Sequence, residues 1–590
     1  MVSRITDRPI IIRRSSRSSS RSRSSSRTRS KSQYRGSDSE TDIFPPTSVP
    51  GASATHHPKI LTIDYLFDNT LPTYFMLQEI LSLTEKLKIS KWKHLIKTYG
   101  KEVAVANTKL KRISGALTNA IYKVEFDLKE LDNQNSNPAP LLLRVYGPNV
   151  SSVIDREYEL SILTRLSHHN IGAKLLGCFS NGRFEQWLNH TAPLTRDLMR
   201  DDRVSHTIAR RMRELHEGIP LTNDEINNGS IVWSNIEKWM GYVKDFVALQ
   251  REKKKLDEET LFDEYQVFGT SFEEFAETVN VYKQWLFAKY GGEEGLKSRL
   301  VFCHNDTQYG NLLLTYPTTL SEKRPSSSKN ESKEDHIDMC NPNSHKASLT
   351  DSLIFKSLRA IPTPEDRKLI VIDFEYSGPN VAAYDIADHL CEWMADYHDP
   401  DRPHYLDQKS YPTVEEQLAF VGSYVGAAPL GKIPLGVLEK DHYSDANKNN
   451  NNGDGDDDLA LVTKRLYNEI VYWRPAAHIS WCLWGIVQSP SFCLQPENDP
   501  VTSSNLPDDG TYKVVSDLKD LQINNNNNNS EEMEEEVGGD TDTFDYFRYS
   551  NNKAGLVWND LFELGVVDRE KFDIKGEEGV KFYGAGLFEV

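Results

Sequence analysis

A chain of 590 residues is long enough for more than one globular unit, and a net charge of −18 argues against a body that binds nucleic acid. Hydrophobic residues make up 38%, and no run approaches the roughly 18 consecutive apolar residues of a membrane span. The N-terminal Pro9-Ile10-Ile11-Ile12 is too short for a signal-peptide core and runs at once into Arg13-Arg14. Cys178, Cys303, Cys340, Cys391, Cys482 and Cys493 show no C-x-x-C spacing and mostly lie in apolar surroundings. That points to reduced, buried thiols in a cytosolic protein, not to a disulfide framework or a zinc site.

Residues 1 to about 55 are Ser/Arg-rich, as in Ser18-Ser19-Ser20-Arg21-Ser22-Arg23, lack the apolar content to pack, and are expected to be disordered. Residues 1–35 carry eleven Lys/Arg and one Asp, a net of +10, so the remainder carries −28. A basic tail on an acidic body has its own role, such as binding an acidic surface or being phosphorylated. Arg13-Arg14-Ser15-Ser16 suits a basophilic protein kinase by analogy; a passive solubilising tail accounts for the composition equally well.

Residues 66–71 and 74–92 read as helical, with Pro72 at a helix start. Strands are expected at 103–105, 110–113, 120–126 and 141–146. The turn Ser114-Gly115-Ala116-Leu117-Thr118-Asn119 has the residue types that let backbone N–H groups face phosphate oxygens, although an ordinary hairpin turn has the same composition. Arg144 ends a very apolar strand, where a charge is costly unless paired. Residues 152–167 read as a helix. Residues 174–188 alternate as two strands about Ser180-Asn181-Gly182-Arg183 and end in Phe184-Glu185-Gln186-Trp187-Leu188. The rest is mostly helical, apart from a hairpin of residues 312–314 and 369–372.

That hairpin is flanked by His304-Asn305-Asp306-Thr307-Gln308-Tyr309-Gly310-Asn311 and by Asp373-Phe374-Glu375. Apolar strand-like runs place these acids and the amide at strand ends, facing a cleft. A base (Asp306), a metal-binding amide five residues on (Asn311) and a second acid (Asp373) are what phosphoryl transfer from ATP requires. Three low-complexity insertions, 318–366, 444–458 and 495–540, mark surface turns of the underlying fold. The acidic run at 453–458 does not have EF-hand spacing and reads as a solvated loop.

The two motifs resemble the H-x-D-x-x-x-x-N and D-F-G pair of protein kinases, with His304-Asn305-Asp306 for His-Arg-Asp and Asp373-Phe374-Glu375 for Asp-Phe-Gly. Both departures are similar to the small-molecule branch of that fold. The run Tyr384-Asp385-Ile386-Ala387-Asp388-His389-Leu390-Cys391-Glu392-Trp393-Met394-Ala395-Asp396-Tyr397 looks like the choline/ethanolamine kinase family, in its fungal form. So do His478-Ile479-Ser480-Trp481-Cys482-Leu483-Trp484, Phe544-Asp545-Tyr546-Phe547-Arg548-Tyr549 and the N-terminal Thr70-Leu71-Pro72-Thr73-Tyr74 and Ile89-Ser90-Lys91-Trp92. The resemblance covers nearly everything from about residue 60 onward outside the insertions.

The resemblance implies an α+β, bilobal protein-kinase-like fold. A strand-rich N-terminal lobe is expected over 56–190 and a mainly helical C-terminal lobe over 191–590. It implies ATP and Mg2+, with Asp306 as base and Asn311 and Asp373 holding the metal, and Glu375 assisting with a second metal. ATP contacts are expected from Ser114, Gly115, Ala116, Leu117, Thr118 and Asn119, from Arg144 paired with Glu157 or Glu159, from the hinge at Glu185, Gln186 and Leu188, and from Gln308. Asp385 is expected to brace the catalytic loop and His304 to orient it. Trp481, Trp484, Tyr397 and Tyr549 are implied as an aromatic cage, with Glu392 supplying negative charge. A quaternary ammonium has no N–H to donate and is held by such faces and a nearby carboxylate; without the kinase motifs, Trp481 and Trp484 at i, i+3 read as core residues.

The expected activity is ATP-dependent phosphorylation of choline to phosphocholine, the first step of the CDP-choline route. An ethanolamine or dual-specificity kinase shares every motif. A non-catalytic scaffold, with the tail as the working part, conflicts with the intact Asp306, Asn311 and Asp373 set. Enzymes of this family are often dimers, so a homodimer is a further expectation by analogy.

Overall fold

A computed structural model describes residues 60–113, 119–127, 137–146, 156–169, 171–256, 260–315, 368–427, 455–493, 544–571 and 586–589. All of these fall in one compact unit. The basic tail, Ser114 to Thr118 and nearly all of the three insertions lie outside the described residues.

The N-terminal half is built on a sheet of β1 (Thr62–Ile63), β2 (Thr108–Ile113), β3 (Asn119–Phe126), β4 (Leu141–Tyr146), β5 (Leu175–Phe179) and β6 (Gly182–Gln186). The strand order is β1-β5-β6-β4-β3-β2. Neighbours are antiparallel except β1, which runs parallel to β5 at the edge. Side chains alternate along a strand. Leu141, Leu143 and Val145 of β4 therefore join Tyr122, Val124 and Phe126 of β3 in one core, and Arg144 projects from the opposite face. The helix Thr73–Lys86 closes this core with Met76, Leu77, Ile80 and Leu81, spaced as an apolar stripe. It starts directly after Pro72 and stops before Lys88, whose φ of 56° leaves the helical region.

Four sequence expectations differ here. The helix expected over residues 74–92 ends at Lys86, and Lys88 and Lys91 beyond it take positive φ. Residues 66–71 are not helical. Val103-Ala104-Val105, expected as a strand, lies in the helix Lys101–Ala106. Three apolar residues carry too little period to choose, and Gly100, at φ 80°, restarts the chain so that Ala104 and Val105 bury as one helical face. The backbone of residues 455–458, read as loop, forms the first turn of the helix Gly455–Gln488; an acidic sequence suits the positive end of a helix.

A second and larger core holds the helices Asp202–Gly218, Ile231–Lys255, Phe272–Lys289, Ala382–Cys391, Val414–Gly426, Gly455–Gln488 and Tyr546–Glu563. Ile162, Leu163 and Leu166 of the helix Arg156–His168 also belong to it. Two separate cores make the molecule bilobal and α+β. Two small sheets lie in the helical half. In one, β9 (Leu312–Thr315) pairs with β10 (Leu369–Val371) on one side and β7 (Thr191–Pro193) on the other. In the other, β8 (Leu300–Cys303) pairs with β11 (Gly378–Val381).

The helices Gly455–Gln488 and Tyr546–Glu563 pack closely. Arg474 donates to both oxygens of Asp560 at 2.9 and 2.7 Å, with both side chains buried. Gly485 has no room for a side chain, because a Cβ would run into the Ser550 hydroxyl and stand 3.1 Å from the Tyr549 ring. Gly485→Ala is expected to lower stability by about 1–3 kcal/mol through overpacking, read from urea unfolding. An unshifted midpoint contradicts the close approach of these helices.

Candidate active site

The chain leaves β8 into a loop that carries Asp306 and is held from several sides. Asp385 Oδ2 accepts the His304 backbone N–H at 2.9 Å, and its Oδ1 accepts that of Asn305 at 2.7 Å. His216 Nε2 donates to the same Oδ2 at 2.8 Å, while its Nδ1 meets the Tyr424 hydroxyl at 2.7 Å. Burial pushes the Asp385 carboxyl up, but the His216 hydrogen bond and charge prevail and hold it below the usual carboxylate range. His216, Cys303 and Asp385 lie close enough to suggest a metal site, but the Asp385 oxygens are occupied by these N–H donors. Asn305 sits at φ 63°, a left-handed conformation that asparagine tolerates. Its side chain donates to the Tyr376 carbonyl at 3.0 Å and accepts from Asn380 at 3.1 Å.

The same loop is tied to the second motif. His304 Nε2 donates to the Ile372 carbonyl at 2.9 Å, and the Ile372 N–H donates to the Asn311 carbonyl at 3.0 Å. Leu312 opposite Val371 in the β9–β10 ladder brings Asn311 and Asp373 to one end of the hairpin. The Asn311 side-chain amide donates to the Asp306 carbonyl at 2.9 Å and its carboxylate at 2.8 Å. Asp306, Asn311 and Asp373 are thus brought together. Burial, then the charges of Asp388, Glu392, Asp373 and Glu375, push the Asp306 carboxyl well above its ordinary range.

Arg144 reaches this acidic cluster from the sheet. Its guanidinium donates to Asp373 at 3.0 Å and stands 3.9 Å from both Glu185 and Glu375. Burial raises the Asp373 carboxyl, yet Arg144 outweighs it and the net shift is downward. Of the two expected partners of Arg144, Glu157 and Glu159, the second is corrected. Glu159 bonds Arg183 at 2.8 Å, and the Glu157 side chain lies outside the described residues. Arg144 and Arg183 face each other across β4 and β6, so two buried arginines divide the acids between them. Arg183 was not singled out in the sequence; its place beside Glu185, whose Oε1 it bonds at 2.6 Å, emerges only from strand register.

Other candidates are placed as follows. Asn119 is described only as backbone at the start of β3. Glu185 is engaged by Arg183. The Gln186 N–H is used within the sheet, donating to Lys174 at 2.8 Å, and the Leu188 carbonyl accepts the Thr191 hydroxyl at 3.0 Å. Gln308 caps the short turn Tyr309–Asn311, its Oε1 accepting the Gly310 N–H at 2.8 Å.

The aromatic candidates gather in one place. Trp481 and Trp484 meet edge to face at 5.5 Å, and Tyr549 lies 6.1 Å from Trp484. The Tyr397 hydroxyl donates to Glu392 Oε2 at 2.7 Å and also neighbours Tyr549. Both indole N–H groups are pinned, Trp481 to Asp388 at 2.7 Å and Trp484 to the Tyr376 hydroxyl at 2.8 Å. Tyr376 closes another side, 5.4 Å from Trp481. Tyr376, Asp388 and Lys553 were missed as site residues. Available signals were the adjacency of Tyr376 to Asp373-Phe374-Glu375 and the helical spacing of Asp385, Asp388 and Glu392 at i, i+3, i+7.

Asn311 and Asp373 present amide and carboxylate oxygens, a donor set suited to a hard divalent cation. The Asn311 amide nitrogen is turned onto Asp306, which fixes the orientation of the amide group. The residues present fit such an ion.

The sequence profile of the choline/ethanolamine kinase family matches residues 110–558. The chain is 34% identical over 533 residues to a choline kinase of Saccharomyces cerevisiae, covering 90% of this chain and 83% of that protein. It is 31% identical over 498 residues to a choline kinase of Schizosaccharomyces pombe, covering 84% and 90%. An ethanolamine kinase of Saccharomyces cerevisiae is 29% identical over 534 residues, covering 88% and 82%.

His389 backs the loop that carries Asp306, its Nδ1 donating to the Thr307 carbonyl at 2.8 Å. Burial lowers its pKa to about 4 against the opposing pull of that bond and Asp385. Because the native pKa lies below the unfolded value, this term stabilises fully above about pH 6.5 and is lost as pH falls from there toward 4. Unfolding free energy is expected to drop by up to about 3 kcal/mol from this group over that window. In His389→Asn the pH slope loses about one proton; an identical slope in both proteins contradicts the assignment.

Proposed function

The chain belongs to the choline/ethanolamine kinase family, and from that premise we propose that it transfers the γ-phosphoryl group of ATP to the hydroxyl of choline, releasing phosphocholine and ADP. The observation that carries this reading is the convergence of Asp306, Asn311 and Asp373 on one acidic cleft that also holds the Trp481, Trp484, Tyr549, Tyr397 and Glu392 cluster.

Asp306 orients the choline hydroxyl and accepts its proton as the oxygen attacks phosphorus. The Asn311 amide holds both the carbonyl and the carboxylate of Asp306, and Asp385 holds the two residues before it, His304 and Asn305, by their backbone N–H groups. Asn311 and Asp373 are proposed to hold magnesium, with Glu375 beside them; bound metal offsets the phosphate charge. Arg144, held by Asp373, is placed to meet phosphate oxygens as they arrive. Adenine is assigned to the strand end at Glu185, Gln186 and Leu188, and Gln308 to the nucleotide side of the loop. The turn at 114–119 is proposed to cover the phosphates.

Choline is favoured over ethanolamine by the chemistry of the pocket. Both Glu392 oxygens already have partners, Tyr397 on one and Lys553 on the other. A methylated cation has no N–H to donate and is met by the ring faces of this cluster together with the Glu392 charge. The four cysteines whose side chains are described, Cys178, Cys303, Cys391 and Cys482, are free and buried, which supports the cytosolic location, and no described helix is long and apolar enough to cross a membrane. The homodimer and the phosphorylated tail belong to this reading as proposals from family analogy and from the Arg13-Arg14-Ser15-Ser16 motif.

Purified protein with ATP and magnesium is expected to show a higher kcat/KM for choline than for ethanolamine in a phosphate-transfer assay with both amines. Asp306→Asn is expected to lower kcat by about 10²–10⁴-fold; near-normal turnover rules out the base role. Trp481→Ala is expected to raise the choline KM about three- to thirtyfold, the equivalent of one cation–π contact, and an unchanged KM removes Trp481 from the cage.

A further inference from the structure

One buried charge beside the acceptor pocket has no role in the reaction described so far. Lys553 has no exposed surface, although an ammonium is costly to bury without an opposing charge. It lies on the helix Tyr546–Glu563, where Tyr546, Tyr549 and Lys553 fall on one face at i, i+3, i+7. Its Nζ stands 3.5 Å from Glu392 Oε1 and 5.4 Å from the centre of the Tyr549 ring. The second oxygen of Glu392 accepts the Tyr397 hydroxyl at 2.7 Å.

We propose that Lys553 is a positioning residue for the cationic substrate, fixing the Glu392 carboxylate and the Tyr549 ring from behind the aromatic box. The proposal rests on the amino-alcohol kinase reading above and goes beyond it by assigning how the pocket's own carboxylate is held. The lysine is one turn of helix beyond Tyr549 and two beyond Tyr546, so the helix that supplies aromatic walls also supplies the cation that anchors the acid. Burial opposes the charged lysine, but Tyr549, Glu392, Cys391 and Asp388 outweigh it, and Lys553 stays protonated.

The geometry separates binding from chemistry. Lys553 neighbours Glu392 and Tyr549, whereas Asp306 is held by Asn311 and the preceding residues of its loop by Asp385. Removing Lys553 therefore frees the carboxylate that faces the substrate cation and leaves the transferring end in place. The effect depends on the charge of the acceptor, because Glu392 attracts an ammonium and has little to offer a neutral group of the same shape.

The test compares choline with its uncharged isostere 3,3-dimethylbutan-1-ol in wild type, Lys553→Met, Lys553→Arg, Glu392→Gln and the double variant. Lys553→Met is expected to raise the choline KM about tenfold with kcat within about twofold. The isostere's kcat/KM is expected to move less than about twofold, and Lys553→Arg to restore the choline KM to within about threefold. In the Glu392→Gln background, Lys553→Met is expected to add nothing, since the group it positions is already gone. An unmoved choline KM in folded Lys553→Met, an equal loss for both acceptors, or a further rise on top of Glu392→Gln overturns the proposal. If Lys553→Met does not fold, the comparison of Glu392→Gln with the double variant decides alone: equal choline KM supports the proposal and a raised KM overturns it. Wild-type turnover of choline in the same assay separates failure of this inference from failure of the kinase reading.

Discussion

Like charges held together away from water constrain everything else in this molecule. Asp306 feels the charges of Asp388, Glu392, Asp373 and Glu375, and two like charges 4 Å apart repel by about 4 kcal/mol at an effective dielectric of 20. The protein meets this at two ends. Arg144 is inserted against Asp373, Glu185 and Glu375, and Lys553 against Glu392. On the proposed reading, the excess negative charge between them is what a metal-bound nucleotide and a cationic acceptor neutralise when they bind. The field that is unfavourable in the free protein becomes the recognition energy.

Such a cleft is maintained only if the backbone cannot relax away from it. Asp385 accepts two consecutive N–H groups of the loop that carries Asp306, and His304 ties that loop to Ile372. Asn305 and Asp373 both take left-handed backbone angles, φ 63° and 64°, an uncommon conformation for residues other than glycine. These positions are over-determined by side-chain hydrogen bonds and ladder pairing, the condition under which such strain persists at working sites. The aromatic box is built the same way: each indole N–H is pinned to a named partner, so the ring faces are set before a ligand arrives.

Much of this was legible in the sequence because local order carries it. The strand ends before His304 and Asp373 place those motifs, and the i, i+3 spacing of Trp481 and Trp484 puts both rings on one helix face. The partner of Arg144 was not legible. A nearby glutamate on the following helix is the natural guess from one sequence, but Arg183, opposite Arg144 in the sheet, takes Glu159 and leaves Arg144 to acids more than two hundred residues away in the case of Asp373. Lys553 and Asp388 escaped notice for a related reason. Charged residues on helices are usually solvated, and only tertiary packing of two helices against the box buries them. The strand expected at 103–105 failed because packing against the first core overrode the preference of valine for strands.

The central claim is that one acidic cleft receives a metal-bound nucleotide at one end and a methylated cation at the other. The most direct measurement is a crystal structure of the protein with ADP, phosphocholine and manganese, using anomalous scattering to locate the metal. The account predicts manganese bound by Asn311 and Asp373, with the trimethylammonium group against Trp481, Trp484 and Tyr549. Metal held by other residues, or the trimethylammonium group bound away from both tryptophans, contradicts it.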